Sequence, residues 1–131
     1  MSESRKRKVE SSDAPGSIGP YSPAIRSDAG PHLFVSGQIG VDPGTGEFVS
    51  GGVAGQADRC LKNLLALVGE AGGNQASVVK ITIYLKSIDD FAAVNEVYAR
   101  FFEEPYPARA CFGGCELPKG ALVEIEAIAA L

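Results

Sequence analysis

The order of segments along this chain predicts an α+β domain, β-β-α-β-α-β-β, and three observations carry the prediction. Apolar residues at Val53, Ala57, Leu61, Leu64, Leu65, Val68 and Ala71 recur with the 3.6-residue period of a helix stripe facing a core. Val79, Ile81, Ile83 and Leu85 alternate with Lys80, Thr82 and Tyr84, the two-residue period of a strand. A second helical face, Phe91, Val94, Val97, Tyr98, Phe101 and Phe102, comes between that strand and two more strands near the C-terminus. With 131 residues, 45% hydrophobic and 21% charged, the chain builds one compact core and leaves no room for a second.

Charge is unevenly placed. The net charge is −4, but Arg5, Lys6, Arg7 and Lys8 against Glu3 and Glu10 give the first ten residues +2 and leave −6 on the rest. An acidic body argues against a nucleic-acid groove. Residues 1–13 are polar and without periodicity, so an unordered basic tail is expected there, with the folded domain spanning 14–131. The run RKRK also fits a nuclear address or a contact for an anionic surface, although charge runs are more often simply solvated. No hydrophobic run approaches the roughly 18 residues of a spanning helix, and the N-terminus lacks the apolar core of a secretory signal, which points to a soluble cytoplasmic protein. Cys60, Cys111 and Cys115 are an odd count at no framework spacing and are expected as free thiols. One histidine, His32, and three scattered cysteines cannot form the usual ligand clusters, so no metal site is expected.

Ala14 to Ile25 is punctuated by Pro15, Gly16, Gly19, Pro20 and Pro23 and reads as an ordered turn segment. Tyr21 in its middle either walls a pocket or plugs the edge of the core. Ala24 to Arg26 and Leu33 to Gln38 read as two strands joined by a tight connection. Gly37 within the second marks a close approach, a packing contact or a bulge. Asp42 to Gly46 is a turn, and Glu47 to Val49 fits a short strand. The first helix begins near Val53 and ends at Gly72 and Gly73. Cys60 beside its stripe reads as a packed hydrophobe.

Val78 to Leu85 is rich in β-branched residues, which suits a central strand. Ser87, with Asp89 and Asp90 behind it, starts the second helix, and Pro105 closes the segment. Asn95 breaks the helix's apolar face. Buried amides usually satisfy backbone groups, which favours a structural role over contact with a ligand.

The last strands are expected over Ala108 to Phe112 and Ala121 to Ala129. In the second, Val123, Ile125, Ala127 and Ala129 share one face, while Leu122, Glu124, Glu126 and Ile128 share the other. Two carboxylates on an otherwise aliphatic face suggest a subunit interface or a cleft. Arg109 in a short strand raises the same question, because a buried charge without a partner costs several kcal/mol. On the residues alone, Glu124 and Glu126 are equal candidates to work with Arg109.

GPYSPAI at 19–25, SGQIGVDPGTGE at 36–47, the helix holding Asn95, PARAC at 107–111 and LPKGALVEIEAIA at 117–129 together resemble the reactive intermediate deaminase (Rid) family, also labelled the endoribonuclease L-PSP family. The resemblance runs from about Ala14 to Ala129. It implies a chorismate-mutase-like fold, a mixed sheet with two helices on one face, and a homotrimer with a site in each cleft between subunits. It implies hydrolysis of enamines and imines of small 2-keto acids, such as 2-aminoacrylate, without a cofactor. Carried over to this chain, Arg109 holds the substrate carboxylate with its planar guanidinium. Glu124, not Glu126, activates water and assists departure of ammonia. Cys111 contributes its backbone more than its thiol, Tyr21 closes over the substrate, and Gly37 and Asn95 line the opposite side. Phe112, Gly113, Gly114 and Cys115 depart from the family pattern, and the two glycines are expected to weaken the strand or make a bulge. Other relatives are labelled translation-inhibiting ribonucleases or act as ligand-binding, chaperone-like proteins. A binding module would keep Arg109 without needing Glu124, so the presence of both leans toward an enzyme.

Overall fold

The structure is a computed structural model that describes residues 6–17, 19–28 and 30–131. Eight strands and helices follow one another: β1 (Lys6–Val9), β2 (Ala24–Ser27), β3 (His32–Ile39), α1 (Gly52–Glu70), β4 (Val78–Leu85), α2 (Phe91–Ala99), β5 (Ala108–Phe112) and β6 (Val123–Ala130). The main sheet has the order β3-β6-β4-β5. β6 runs antiparallel to both its neighbours, and β5 is parallel to β4, so the α+β class and the mixed sheet stand as expected.

One face of this sheet makes the core. Ile81, Ile83 and Leu85 of β4 and Val123, Ile125 and Ala129 of β6 are at most 1% exposed. They pack under Ala57, Cys60, Leu61, Leu64 and Val68 of α1 and Val94, Val97 and Tyr98 of α2. The α1 stripe is the one that the 3.6-residue period picks out. Burial pushes the Cys60 thiol up to about 12, in keeping with a packed hydrophobe. Ser87 caps the 3₁₀ turn Ile88–Asp90 by accepting a hydrogen bond from the Asp89 amide, and α2 follows directly. That helix ends at Ala99, before Pro105, because Arg100 and Phe101 close it with 3₁₀-type bonds to Val97 and Tyr98. Phe102 lies beyond the helix yet stays in the core.

The N-terminal segment differs from the expected unordered tail. Lys6–Val9 is a strand paired antiparallel with Ala24–Ser27 in a separate two-stranded sheet. The reason is non-local. The Lys6 ammonium is buried and donates to the Val78 carbonyl at 2.8 Å, Lys8 meets Glu104 at 2.9 Å and Arg7 meets Asp28 at 3.3 Å. A composition reading sees four like charges, but the fold brings each of these three a partner distant in sequence. Residues 1–5 of the expected tail lie outside the described residues. The same pairing corrects the β2 and β3 reading, since the two strands belong to different sheets and do not form a hairpin. The expected strand at Glu47–Val49 reduces to a single bridge between Val41 and Phe48, beside a turn in which the Asp42 carboxylate accepts from the Gly44 and Thr45 amides.

Gly113 and Gly114 follow β5 and do not interrupt it. A Cβ on Gly113 would sit 2.8 Å from the Ile88 Cα and amide nitrogen, and Gly114 has φ 70°. The pair lets the chain pass closely under Ile88 and turn, so that the Cys115 amide bonds to the Leu85 carbonyl. Among the described residues, no helix is long and apolar enough to cross a membrane.

Candidate functional site

Arg109 lies beside Ile81 in the β4/β5 register, and Cys111 lies beside Ile83. Both therefore project on the helix side of the sheet, at its β5 edge, where α2 meets them. Phe91, Asn95 and Tyr98 are spaced i, i+4 and i+7 on α2 and form one stripe facing the guanidinium. The Arg109 Nη1 donates to Asn95 Oδ1 at 2.7 Å. Its Cζ stands 4.8 Å from the Tyr98 ring centroid, 5.3 Å from that of Tyr21 and 5.7 Å from that of Phe91.

Tyr21 reaches this place because its neighbour Ser22 is anchored. Ser22 is buried, its amide bonds to the Pro107 carbonyl at 3.1 Å, its hydroxyl donates to the Tyr106 carbonyl, and it bridges to Ala108. Gly19, Tyr21, Phe91, Asn95, Arg109 and Cys111 line a cavity of about 240 Å³. Burial lowers the Arg109 pKa from its ordinary value, opposed by Tyr98, Cys111 and Tyr21, and a guanidinium stays charged regardless. Burial raises the Cys111 thiol, against the pull of Arg109. That direction favours the thiol over the thiolate a nucleophile needs.

Glu124 faces the other way. It pairs with Tyr84 across the β4/β6 register, and Tyr84 alternates with the buried Ile83 and Leu85, so Glu124 projects from the face opposite the helices. It borders a second cavity of about 280 Å³ with Gly37, Tyr84, Cys115, Glu116 and Glu126. The β3/β6 register shifts between Val35 and Gln38, making a bulge that contains Gly37. A Cβ on Gly37 would collide with the Glu124 carboxylate, so the bulge and the close approach offered by the sequence are both present. Glu126 is already engaged, accepting from the Tyr84 hydroxyl at 2.5 Å, which stacks in turn on Phe112 at 6.0 Å.

Tyr21, Asn95, Arg109 and Cys111 thus come together on one side of the sheet, and Gly37 and Glu124 on the other. Asn95 meets the Arg109 guanidinium and not a backbone group, so its structural partner is a side chain where a backbone group was expected. Sequence reasoning missed Gly19 and the roles of Phe91 and Tyr98. The i, i+4, i+7 spacing around Asn95 was the signal for the latter two, hidden because both read as core. Among the described residues, no three His, Cys, Asp or Glu side chains are grouped to hold a metal.

Fold and geometry define a small α+β domain in which a half-buried guanidinium, walled by three aromatic rings, borders a cavity. The profile of the family described as Endoribonuclease L-PSP matches residues 11–131, and the chain belongs to that family, the Rid family of the sequence resemblance. It is 46% identical over 129 residues to a human protein named 2-iminobutanoate/2-iminopropanoate deaminase, covering 98% of this chain and 93% of that protein. Among solved structures, a Yersinia pestis protein of the conserved Rid family, YyfB, superposes with a TM-score of 0.87 at 28% identity, covering 97% of this chain and 99% of that one. Escherichia coli TdcF, solved with bound serine, gives a TM-score of 0.72 at 41% identity, covering 95% of this chain and 98% of that one.

Proposed function

We propose that this protein is a cofactor-independent hydrolase that converts enamines and imines of small 2-keto acids, 2-aminoacrylate among them, to the keto acid and ammonia. The observation that carries the reading is Arg109. Its half-buried guanidinium has three ring faces and one amide oxygen around it but no carboxylate within salt-bridge distance among the described residues. A desolvated cation left in that state favours a carboxylate ligand, which a guanidinium holds bidentately. Asn95 occupies Nη1, and the remaining donors serve the substrate.

The rest of the chemistry needs a water and a proton carrier. Glu124 is the carboxylate suited to both, since Glu126 is committed to Tyr84. Water adds its oxygen to C2 of the imine as Glu124 takes one proton from it and passes that proton to nitrogen, giving a carbinolamine; Glu124 then takes the hydroxyl proton as the carbonyl forms and delivers it to nitrogen as the C–N bond breaks and ammonia leaves. Arg109 and Glu124 project from opposite faces of one sheet, so the site is completed by a second subunit. Two different surfaces meeting head to tail make a heterologous contact that closes into a ring, and a homotrimer satisfies it.

The test couples a dehydratase or an amino-acid oxidase to this protein and follows keto-acid release. Wild type should accelerate release over buffer. Arg109→Ala should lower kcat/KM on the order of 10- to 150-fold, the loss expected for charge-assisted hydrogen bonds. Equal rates for wild type and buffer, or for wild type and Arg109→Ala, would overturn the reading.

A further inference from the structure

The three rings around Arg109 are not equivalent. Tyr21 sits on a loop, and Phe91 is 39% exposed, but Tyr98 is fully buried and its ring is the closest to the guanidinium. Tyr98 also packs against Phe102, with centroids 4.8 Å apart and a tilt of 36°. The Tyr98 hydroxyl is buried and has no hydrogen-bond partner among the described residues. Ordinarily a buried tyrosine is kept for its hydroxyl, which finds a partner. Here the ring, in contact with both the Phe102 ring and a cation, is the part in use.

We propose that Tyr98 is a positioning residue for Arg109. Its π face is the fixed floor on which the guanidinium plane rests, while Asn95 sets the rotation of that plane within it. The role rests on the reading of Arg109 as the carboxylate anchor. A cation over a ring face in a desolvated site is held more strongly than one at an exposed site. An arginine side chain otherwise loses considerable rotamer freedom when a ligand fixes it. A floor that holds the plane beforehand removes part of that loss, and the benefit appears in carboxylate affinity and KM more than in kcat.

The experiment measures binding of pyruvate, used as an unreactive carboxylate probe, by calorimetry, and KM in the coupled assay. Tyr98→Phe keeps the ring and should bind within about twofold of wild type, whereas Tyr98→Leu should bind about 5- to 30-fold more weakly, the range of a desolvated cation–π contact. Because Tyr98→Leu opens the core, a series with 4-fluoro-, 3,5-difluoro- and pentafluorophenylalanine at position 98 keeps the shape while draining the π face. Affinity should fall stepwise along that series with kcat nearly constant, and the steps should vanish in an Arg109→Ala background. A purely packing role would not respond to ring electron density. A flat series with pyruvate binding intact would overturn the role of Tyr98 alone. Failure of the wild type to bind any 2-keto acid would overturn the carboxylate reading of the site, and the role of Tyr98 with it.

Discussion

Single side chains here are held by contacts whose geometry says what each one does. Gly37 is the clearest case, because the space its missing Cβ leaves is filled by the Glu124 carboxylate. Gly37→Ala must push that carboxylate aside. A misplacement of about 1 Å at a catalytic group costs on the order of 10²-fold in rate, so kcat in the coupled assay should fall by about that factor. The melting temperature should move little, since Glu124 projects away from the packed face and the bulge does not require a positive φ. Unchanged kcat in a folded Gly37→Ala protein would separate Glu124 from the chemistry. In the sequence Gly37 offers three readings and Asn95 two, and the contacts that give each its partner lie 87 and 14 positions away. On the residues alone Glu124 and Glu126 are equal, and the structure separates them because Tyr84, 42 positions from Glu126, occupies that carboxylate.

At the scale of elements, local pattern and structure agree wherever the signal is a period, and part wherever a partner is remote. β4 and β5 fall on the expected residues 78–85 and 108–112, and α1 runs from Gly52 to Glu70 against an expected start near Val53. Alternation and helix stripes are local consequences of which face is buried. β1 shows the opposite behaviour, as its pairing with β2 and the burial of Lys6 against Val78 depend on contacts that no local window contains. That burial lowers the Lys6 pKa to about 8, below its ordinary 10.5. Between these two values the unfolded chain binds more protons at Lys6 than the folded chain does, so this lysine's contribution to stability improves as pH rises from about 8 to about 10.5. Lys6→Met removes the contribution. The difference in melting temperature between wild type and Lys6→Met should therefore shift in favour of wild type across that window. A pH-independent difference would show that Lys6 titrates alike in both states.

For the whole molecule the decisive fact is that one sheet separates the two halves of the candidate site. The sequence places Arg109 and Glu124 on strands, and the alternation in β6 groups Glu124 with Glu126, but the face from which each leaves the sheet depends on two registers through β4: Ile81 beside Arg109, and Tyr84 beside Glu124. Those pairings join segments far apart in the chain, so the residues were legible and their separation was not. If the halves meet between subunits, each site takes Arg109 from one protomer and Glu124 from its neighbour. Arg109→Ala and Glu124→Gln proteins would then be strongly impaired alone and complementary together. Co-expression with two different tags and purification on both yields only mixed rings. In a cyclic trimer, either mixed composition contains one junction where an intact Arg109 faces an intact Glu124, so activity should return to about a third of wild type. Sites built within one protomer would give no recovery, because every chain in the mixture would carry a defective copy. Recovery near a third therefore establishes both the shared site and the ring, and its absence in rings shown to be mixed rejects the composite site while leaving the separate roles of Arg109 and Glu124 to their own single substitutions.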